Sequence, residues 1–440
     1  MMKIIKKANP LVEAILPKIS LATTNTTRLN NFCCVFYIDN NRLIYNGLTG
    51  EVIFEDERDE AYLYSHHYYV SVDYNEFKLV NELKTTINLI KQSSIKGINN
   101  YTILTTNDCN ARCFYCYQKC SEKLYMDTDV SNKVFEYMLN HIDKNIKVNI
   151  TWFGGEPLLN VNAIDIIVNQ LNKNKISFTS NIVSNGSLFN NEIINRCNNL
   201  WNIKNIQITL DGTKNIYNKT KNYIDDKNVY EKIIENISLL ISNNINVSIR
   251  LNLTRNNYRD LKELIDFLYV KFDKNKHYKV YVSLLYQDEN NLEIISDLYK
   301  QKIELEKYIY YLGIYENKID LDIKTNNCIA DDLNSIVILP DGSLSCCEHI
   351  QEEIRWGSIF SNNNKLDKCL NIDNNIISPF EFWKEKDDIK DECKNCFYYP
   401  LCINIKRCPG KSCYCLDIMR QEYMLKLEWK IKELYYSSLT

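Results

Sequence analysis

The chain has 440 residues, too many for a single hydrophobic core, so two or three domains are expected. Its hydrophobic and charged fractions, 45% and 25%, are those of soluble globular proteins. The net charge is −3, and the chain has no block of basic residues. No run of apolar residues approaches the length that a membrane-spanning helix needs. These features argue against nucleic-acid and membrane partners.

The first residues resemble a signal peptide only poorly, because Glu13 and Pro17 interrupt the apolar stretch. A cytoplasmic location is therefore expected. In a reducing compartment, 17 cysteines indicate metal ligands or redox chemistry rather than disulfides. Many of them fall in two groups, at 109–120 and 393–415.

The first 95 residues are predicted to form a small α+β domain. Runs of β-branched and aromatic residues at 32–38, 42–45 and 51–54 predict short strands separated by turns. Residues 76–92 have the periodicity of a helix. The segment carries no group of catalytic side chains.

Residues 96–320 are predicted to form one α/β domain, because strand-like and helix-like segments alternate there. The predicted strands are 101–106, 147–153, 177–183, 205–210, 247–253 and 279–285. The predicted helices are 129–142, 161–171, 190–197, 230–242, 258–272 and 292–312. Six successive βα units indicate a parallel sheet curled into a partial (β/α)6 barrel, two units short of a closed (β/α)8 barrel.

Unusual residues follow four of these strands directly. A cysteine loop follows the first strand, and Gly154-Gly155-Glu156-Pro157 follows the second. Ser184-Asn185-Gly186 follows the third, and Asp211-Gly212 follows the fourth. The carboxyl ends of parallel barrel strands meet at one rim, where active sites are built. The pattern therefore predicts one site made from four loops.

The cysteine loop contains Cys109, Cys113 and Cys116 in the spacing C-x3-C-x2-C, with Tyr115 before the last cysteine. Three thiolates can hold three corners of a four-iron cluster and leave one iron open to a ligand. For an isolated triplet, a zinc knuckle or unrelated thiols are the alternatives. The loop resembles that of the radical S-adenosylmethionine (SAM) enzymes. This resemblance implies that the open iron binds SAM, whose reductive cleavage gives a 5'-deoxyadenosyl radical.

The same resemblance assigns SAM-binding roles to the next rim segments. Gly154, Gly155 and Glu156 match the segment that binds the SAM amino group, and Gly-Gly lets backbone carbonyls approach a ligand closely. A simple β-turn is the alternative for the glycines. Asn185 matches the segment that binds the ribose, where an amide is a natural partner of hydroxyls.

Two later strands complete the expected SAM site. Thr209 stands where the peptide-modifying branch of the family has a serine that helps to hold the SAM carboxylate. Relatives often carry an arginine shortly afterwards, whereas this chain offers Lys219 and Lys221. Arg250 and Asn252 are separated by one residue on the fifth strand, which suits inward-facing polar positions. A purely structural role of Arg250 is the alternative.

Residues 321–440 are rich in cysteine, end in a predicted helix at 416–435, and resemble a SPASM domain, which holds two auxiliary four-iron clusters. The outer-cluster ligands implied by this resemblance are Cys393, Cys396, Cys402 and either Cys415, which is preferred, or Cys413. The implied inner-cluster ligands are Cys328, Cys347 and Cys408.

The inner cluster departs from the family pattern in two ways. The gap between Cys402 and Cys408 is longer than usual, and one clear cysteine precedes Gly342 where some relatives have two. The inner cluster is therefore expected either to have an open iron or to use Cys346 as its fourth ligand. A zinc ribbon is the alternative for the whole region. The remaining cysteines fit no ligand pattern and are expected to be buried free thiols: Cys33, Cys34, Cys120, Cys197 and Cys369.

The resemblance implies three four-iron clusters, SAM, an electron donor such as flavodoxin or ferredoxin, and a precursor peptide whose leader is bound by residues 1–95. The leading hypothesis is a peptide maturase that forms a cysteine thioether; a carbon–carbon or carbon–oxygen crosslink is a second outcome. An anaerobic sulfatase-maturating enzyme is a further alternative, in which Glu348 after Cys347 would stand in for the family's proton-accepting aspartate. An electron-transfer or cluster-scaffold protein, the non-enzyme alternative, would not need the SAM-binding rim.

Overall fold

The computed structural model describes residues 3–19, 26–55, 60–118, 122–224, 229–273, 275–285, 291–325, 329–332, 334–348, 355–360, 391–402 and 417–439. The chain divides into two compact units. One unit comprises residues 1–94, 317–331 and 381–440; the other comprises residues 95–316 and 332–380.

The described helices and strands follow one another along the chain. The strands are β1 (Ile4–Lys6), β2 (Thr27–Leu29), β3 (Cys33–Ile38), β4 (Asn41–Asn46), β5 (Val52–Phe54), β6 (Tyr69–Ser71), β7 (Asn100–Thr106), β8 (Val148–Gly154), β9 (Phe178–Ser184), β10 (Ile203–Leu210), β11 (Asn246–Leu253), β12 (Tyr278–Leu284), β13 (Ser335–Ile338), β14 (Ser343–Ser345) and β15 (Arg355–Ser358). The helices are α1 (Pro10–Ile15), α2 (Glu60–Ser65), α3 (Glu76–Ser94), α4 (Thr128–His141), α5 (Val161–Lys173), α6 (Asn191–Asn199), α7 (Lys214–Lys221), α8 (Val229–Ser242), α9 (Tyr258–Phe272), α10 (Leu292–Tyr311) and α11 (Asp417–Ser437).

The larger unit contains the predicted βα repeats. Strands β7 to β12 lie side by side in sequence order and are parallel throughout, which confirms the partial (β/α)6 barrel. Strand β13 adds to the free side of β7 in parallel, and β14 and β15 extend the same sheet in antiparallel fashion.

The two faces of the barrel strands differ in polarity. On β10, Ile206, Ile208 and Leu210 are fully buried in the core, whereas Gln207 and Thr209 between them are half-buried. The apolar faces of the helices complete that core, as their 3.6-residue periodicity predicts. The other face of the sheet therefore carries polar side chains into the barrel.

The smaller unit joins the beginning of the chain to its end. Strands β1, β5, β4 and β3 form an antiparallel sheet in that order. Side chains of this sheet share a hydrophobic core with Leu321, Leu401 and, on α11, Leu427 and Ile431. Residues 1–94 thus contribute to a core that residues 317–331 and 381–440 complete. The division at residues 95 and 320 stays a prediction about domains.

Within the described residues, no helix has both the length and the apolar character that crossing a bilayer requires.

Candidate active site

The cysteine loop leaves the carboxyl end of β7, and its three thiols are free and half-buried. The backbone N–H groups of Ala111 and Cys116 donate hydrogen bonds within the loop, to the Cys109 sulfur at 3.4 Å and to the Cys113 carbonyl at 3.2 Å. Burial raises the pKa of Cys109 to about 12, so a metal that binds there must displace a proton. Hydrogen bonds between residues of the loop itself therefore help to fix its conformation.

The opposite side of the loop is held by the segment that ends α7. The backbone N–H of Arg112 donates to the Lys221 carbonyl at 2.9 Å, and that of Ile224 donates to the Asn110 carbonyl at 3.1 Å. Ala111 and Tyr223 form an antiparallel bridge between the same two segments. The position of the three cysteines therefore depends on a segment about 110 residues further along the chain.

Gly154 and Gly155 allow the backbone at the end of β8 to contact the backbone at the start of the cysteine loop. The N–H of Gly155 donates to the Thr106 carbonyl at 3.0 Å, and that of Glu156 donates to the Asp108 carbonyl at 2.8 Å. A Cβ on Gly154 or Gly155 would overlap the carbonyl oxygen of Thr106 or Asp108, respectively. The close approach expected of these glycines is made to the loop itself; their contact with SAM stays a prediction.

The carboxylate of Glu156 is fully buried and accepts hydrogen bonds from three neighbouring residues. The Ser184 hydroxyl lies 2.9 Å and 3.1 Å from its two oxygens, the backbone N–H of Asn185 lies at 2.8 Å, and that of Leu158 at 3.2 Å. Burial raises the pKa of Glu156 to about 7, although these bonds act in the opposite direction. Glu156 thus ties the end of β8 to the end of β9, and its predicted contact with SAM stays a prediction.

Asn185 connects the third rim segment to the cysteine loop. Its Nδ2 donates to Asn110 Oδ1 at 2.8 Å and to the Cys109 sulfur at 3.7 Å. Its Oδ1 accepts from the backbone N–H and the hydroxyl of Ser187, at 2.9 Å and 2.6 Å. Gly186, with a φ of +85°, makes the turn that this arrangement needs. Three of the four predicted rim segments therefore meet around Cys109.

A buried polar cluster connects the fourth rim segment to the same loop. Lys221 Nζ donates to the Tyr115 hydroxyl at 2.7 Å and lies 3.3 Å from Asp211 Oδ2. The Tyr115 hydroxyl donates to Asp211 Oδ2 at 2.7 Å, and Asn252 Nδ2 donates to Asp211 Oδ1 at 2.8 Å. Burial alone would lower the pKa of Lys221, but Asp211 and Tyr115 raise it well above its ordinary value. This ion pair was not predicted from the sequence, which had suggested Lys221 only as a stand-in for an arginine.

The remaining predicted SAM-site residues are neighbours on the polar face of the sheet. Thr209 on β10 and Arg250 on β11 are directly paired in register. The Arg250 guanidinium donates to Asn252 Oδ1 at 2.9 Å and to the Ser283 hydroxyl at 3.0 Å. Arg250 thus lies at the edge of the Asp211 cluster. Its role and that of Thr209 in binding SAM stay predictions.

Comparison with known proteins identifies residues 103–268 of the larger unit. Residues 103–268 match the family model described as the Radical SAM superfamily. They form a radical SAM domain. The match includes the cysteine loop, the three following rim segments and Arg250.

Relatives and solved structures agree with this assignment. An uncharacterized protein of Methanocaldococcus jannaschii is 35% identical over 120 residues, which cover 27% of this chain and 40% of that protein. The radical SAM cyclopropyl synthase TigE of Paramaledivibacter caminithermalis is 30% identical over 128 residues, or 25% of this chain and 26% of TigE. The chain thus spans less than half the length of either relative.

Two solved structures share the radical SAM fold. A structure described as native anSMEcpe with bound AdoMet superposes with a TM-score of 0.58 at 18% identity, covering 77% of this chain and 98% of that one. Streptococcus suis SuiB bound to S-adenosylmethionine gives a TM-score of 0.50 at 14% identity, covering 87% and 94%. At these identities the likeness concerns the fold.

The predicted auxiliary-cluster ligands lie partly within the described residues. Cys346 and Cys347 are buried directly after β14 in the larger unit, and the Cys347 sulfur lies 3.9 Å from Glu348 Oε2. In the other unit, the half-buried Cys393, Cys396 and Cys402 follow one another in a single turn-rich loop. The predicted ligands Cys328, Cys408, Cys413 and Cys415 lie outside the described residues.

The radical SAM domain offers a donor set that fits a four-iron cluster. Soft thiolates from three cysteines are the ligands such clusters take. The N–H donors of Ala111 and Asn185 at the Cys109 sulfur favour the thiolate form that binds iron. Across the described residues, no three Cys, His, Asp or Glu side chains converge as the ligands of one metal ion do. In a four-iron cluster, the three thiolates would instead bind three separate irons, one each.

Replacing Lys221 by methionine is expected to destabilise the radical SAM domain by about 3–5 kcal/mol, because the buried Asp211 carboxylate would lose its countercharge. Chemical unfolding followed by tryptophan fluorescence measures this effect. Lys219→Met, at an exposed position on the same helix α7, is the matched control and should change stability by less than about 0.5 kcal/mol. An equal loss in both variants would contradict the importance of the Asp211 ion pair.

The buried Glu156 predicts an unusual pH dependence of stability. The unfolded state releases the Glu156 proton near pH 4.5, whereas the folded state keeps it up to about pH 7. Stability therefore falls by about 3 kcal/mol as the pH rises between these values and is level above them. Glu156→Gln should lack this fall. Denaturant midpoints of both iron-free proteins across pH 5–8 test the difference, and parallel curves would refute a raised pKa.

Proposed function

We propose that this chain is a radical SAM peptide maturase, an enzyme that modifies a ribosomally made peptide. The convergence of separate rim segments on the cysteine loop is the observation that carries the proposal. The Asn185 amide contacts the Cys109 sulfur, the Glu156 N–H binds the Asp108 carbonyl, and Tyr115 binds Asp211. A protein that only carried electrons would not need these additional loops beside the cysteines.

The cysteines would hold a four-iron cluster that, with SAM, supplies a carbon radical able to remove a hydrogen atom from the substrate. The chain's own residues prepare this chemistry. The hydrogen-bonded side chains of Asn185 and Asn110 place polar groups beside Cys109. Thr209 and Arg250 add a hydroxyl group and a positive charge on the polar face of the sheet. Fixed polar groups of this kind orient a charged ligand without further reorganisation. An electron donor such as flavodoxin or ferredoxin would reduce the cluster.

A peptide is the proposed substrate because two of the similar proteins have been solved with a peptide bound. SuiB has been solved bound to the precursor peptide SuiA, and anSMEcpe has been solved with a peptide named Cp18Cys. The cysteine-rich segments after residue 320 support the same class, since their spacing resembles the auxiliary-cluster pattern of SPASM domains. We propose two auxiliary clusters in addition to the cluster of Cys109, Cys113 and Cys116.

A cysteine thioether is the leading product, because an inner cluster with an open iron could bind a substrate thiolate. The similarity of one segment to TigE, described as a cyclopropyl synthase, favours a carbon–carbon bond as the second candidate. The sulfatase-maturating alternative rests on Glu348, whose carboxylate lies 3.9 Å from the Cys347 sulfur. There Glu348 would accept a proton from the substrate.

The test is anaerobic incubation with SAM, a reductant and a cysteine-containing peptide from a short reading frame sought beside the gene, followed by mass spectrometry. Release of 5'-deoxyadenosine separates an enzyme from a cluster scaffold. Loss of two hydrogens with thiols that no longer react with an alkylating agent supports the thioether. The same loss with reactive thiols indicates another crosslink, and an aldehyde that reacts with a hydrazide indicates formylglycine. An unmodified peptide together with no 5'-deoxyadenosine would refute the proposed function.

The leader peptide is proposed to add a strand to the edge of the sheet β1-β5-β4-β3. Strand β3 is an end strand in this order, and its Tyr37 is 72% exposed. Edge strands offer unpaired backbone groups to an extended peptide. A photo-crosslinking residue at position 37 should capture the leader, whereas the same residue at Tyr311 of α10, which is 80% exposed, should not. Equal capture at both positions would refute this binding site.

A further inference from the structure

Helix α3, near the beginning of the chain, binds the loop that carries three predicted ligands of the outer auxiliary cluster. The Lys84 ammonium donates to the carbonyl oxygens of Tyr399, at 2.8 Å, and Cys402, at 2.6 Å. Lys84 is only 8% exposed. A lysine is rarely buried unless its charge has a function or a partner. Here the ammonium is fixed on the backbone of one of the cysteines.

Further side chains of residues 1–94 contact the loop that carries Cys393, Cys396 and Cys402. The Tyr399 hydroxyl donates to Asn81 Oδ1, one helical turn before Lys84, at 2.8 Å. The Lys84 ammonium lies 4.8 Å from the centre of the Tyr399 ring, a cation–π distance. Asn31 Nδ2 donates to Asn395 Oδ1 at 2.8 Å, between Cys393 and Cys396.

Hydrophobic contacts join the same partners. Cys393 and Cys396 pack against a core that contains Phe32, Leu79 and Leu83. A loop fixed by a core, a buried ammonium and two amides has little freedom to change the spacing of its sulfurs. Such outer contacts orient metal ligands, and their loss typically weakens metal binding by about 10–100-fold.

The charge of Lys84 suits this position. A four-iron cluster bound by thiolates is anionic, and its reduction adds a further negative charge. A buried cation near the ligands therefore stabilises the cluster and favours its reduced form. The hydrogen bonds to the Tyr399 and Cys402 carbonyls also align the turn from which the Cys402 sulfur extends.

We propose that Lys84 is a positioning residue for the outer auxiliary cluster, so that residues 1–94 and this cluster operate as one unit. The proposal rests on the outer cluster suggested above for Cys393, Cys396 and Cys402. It deepens the proposed function, because the segment suggested to bind the leader also holds one of the clusters.

The experiment uses the full chain with Cys109, Cys113 and Cys116 replaced by alanine, so that only auxiliary clusters contribute. Lys84→Met, Lys84→Arg and the control Lys78→Met, at an exposed position on the same helix, are compared in this background. Iron release to a chelator and the midpoint potentials from electron paramagnetic resonance are measured. Lys84→Met should release about half of the iron at least tenfold faster and shift one midpoint potential to a more negative value. Lys84→Arg and Lys78→Met should resemble the background protein.

Unchanged release and unchanged potentials in Lys84→Met would overturn the proposal. A background protein that binds no iron would instead show that the auxiliary clusters themselves are absent, which is a failure of the proposed function. Where Lys84→Met lowers the helix content seen by circular dichroism, Lys84→Gln replaces it, because an amide keeps hydrogen-bond donors without the charge. A potential unchanged in Lys84→Gln would then overturn the role of the charge.

Discussion

Replacing Cys109, Cys113 and Cys116 together by alanine is expected to abolish SAM cleavage and to remove about four irons of about twelve per chain. The three sulfurs are the proposed iron ligands of the radical SAM domain, and alanine offers no replacement. Because the loop is held by backbone bonds from Arg112 and Ile224, the barrel should remain folded without the cluster. Iron analysis and chromatography of 5'-deoxyadenosine measure the two effects.

A matched control for this experiment is Cys197→Ala. Cys197 is a buried thiol on α6 whose pKa burial raises to about 12, and it belongs to no ligand pattern. The control should lose some stability, as a small cavity does, but keep its iron and its SAM cleavage. SAM cleavage that persists in the triple variant would refute the mechanism. An iron content of about four in the unchanged protein that falls to none in the triple variant would show that the auxiliary clusters are absent.

The barrel could be predicted from the sequence because its strands have a strong local signal. Residues 147–153 were predicted as a strand and form Val148–Gly154, and residues 205–210 lie within Ile203–Leu210. Their β-branched residues occupy buried positions of the sheet, which leaves few other conformations. Helix α7 was missed, because residues 214–221 contain only Ile216 and Tyr217 as apolar residues. Burial of Tyr217 and Lys221 stabilises this helix, and that depends on tertiary contacts.

The partners of the site residues were harder to predict than their positions. The motif around Glu156 predicts a place at the rim, where it lies, but its carboxylate faces Ser184 and Asn185 at the end of the next strand. Whether the Glu156 carboxylate contacts a ligand or other residues of the protein depends on how closely the loops after β8 and β9 approach each other. The pairing of Lys221 with Asp211 depends in the same way on the return of the chain after α7.

Residues 1–94 share a hydrophobic core with the end of the chain, so their proposed role in leader binding cannot be tested by deleting them. Tyr45 of β4 packs with Leu321, Leu401 and Leu427, and its hydroxyl donates to the Leu321 carbonyl at 2.7 Å. Deleting the segment would expose these side chains to water, so a loss of activity would not separate leader binding from unfolding. Single substitutions and crosslinking at exposed positions such as Tyr37 avoid that difficulty.

Gly155→Ala is expected to abolish SAM cleavage by displacing the cysteine loop, although a single methyl group is added. The new Cβ would overlap the Asp108 carbonyl oxygen, and Asn107 and Asp108 directly precede the first cysteine. The three nearest atoms all belong to the backbone of this segment, so no flexible side chain can move away. The hydrogen bond from Glu156 N–H to the same carbonyl would be lost as well. Iron bound by the radical SAM domain should fall together with SAM cleavage.

The control for this substitution is Gly313→Ala, which adds the same methyl group where nothing lies within 4 Å. Its φ of +77° costs about 1 kcal/mol of stability for a non-glycine residue. The control therefore carries a backbone strain that Gly155→Ala lacks, but no collision. Gly313→Ala should keep iron and SAM cleavage. If Gly155→Ala kept its iron and lost only affinity for SAM, the glycine would serve the ligand rather than the loop. The ratio of iron content to SAM affinity in the two variants therefore decides whether the glycine pair supports the cysteines or lines the SAM site.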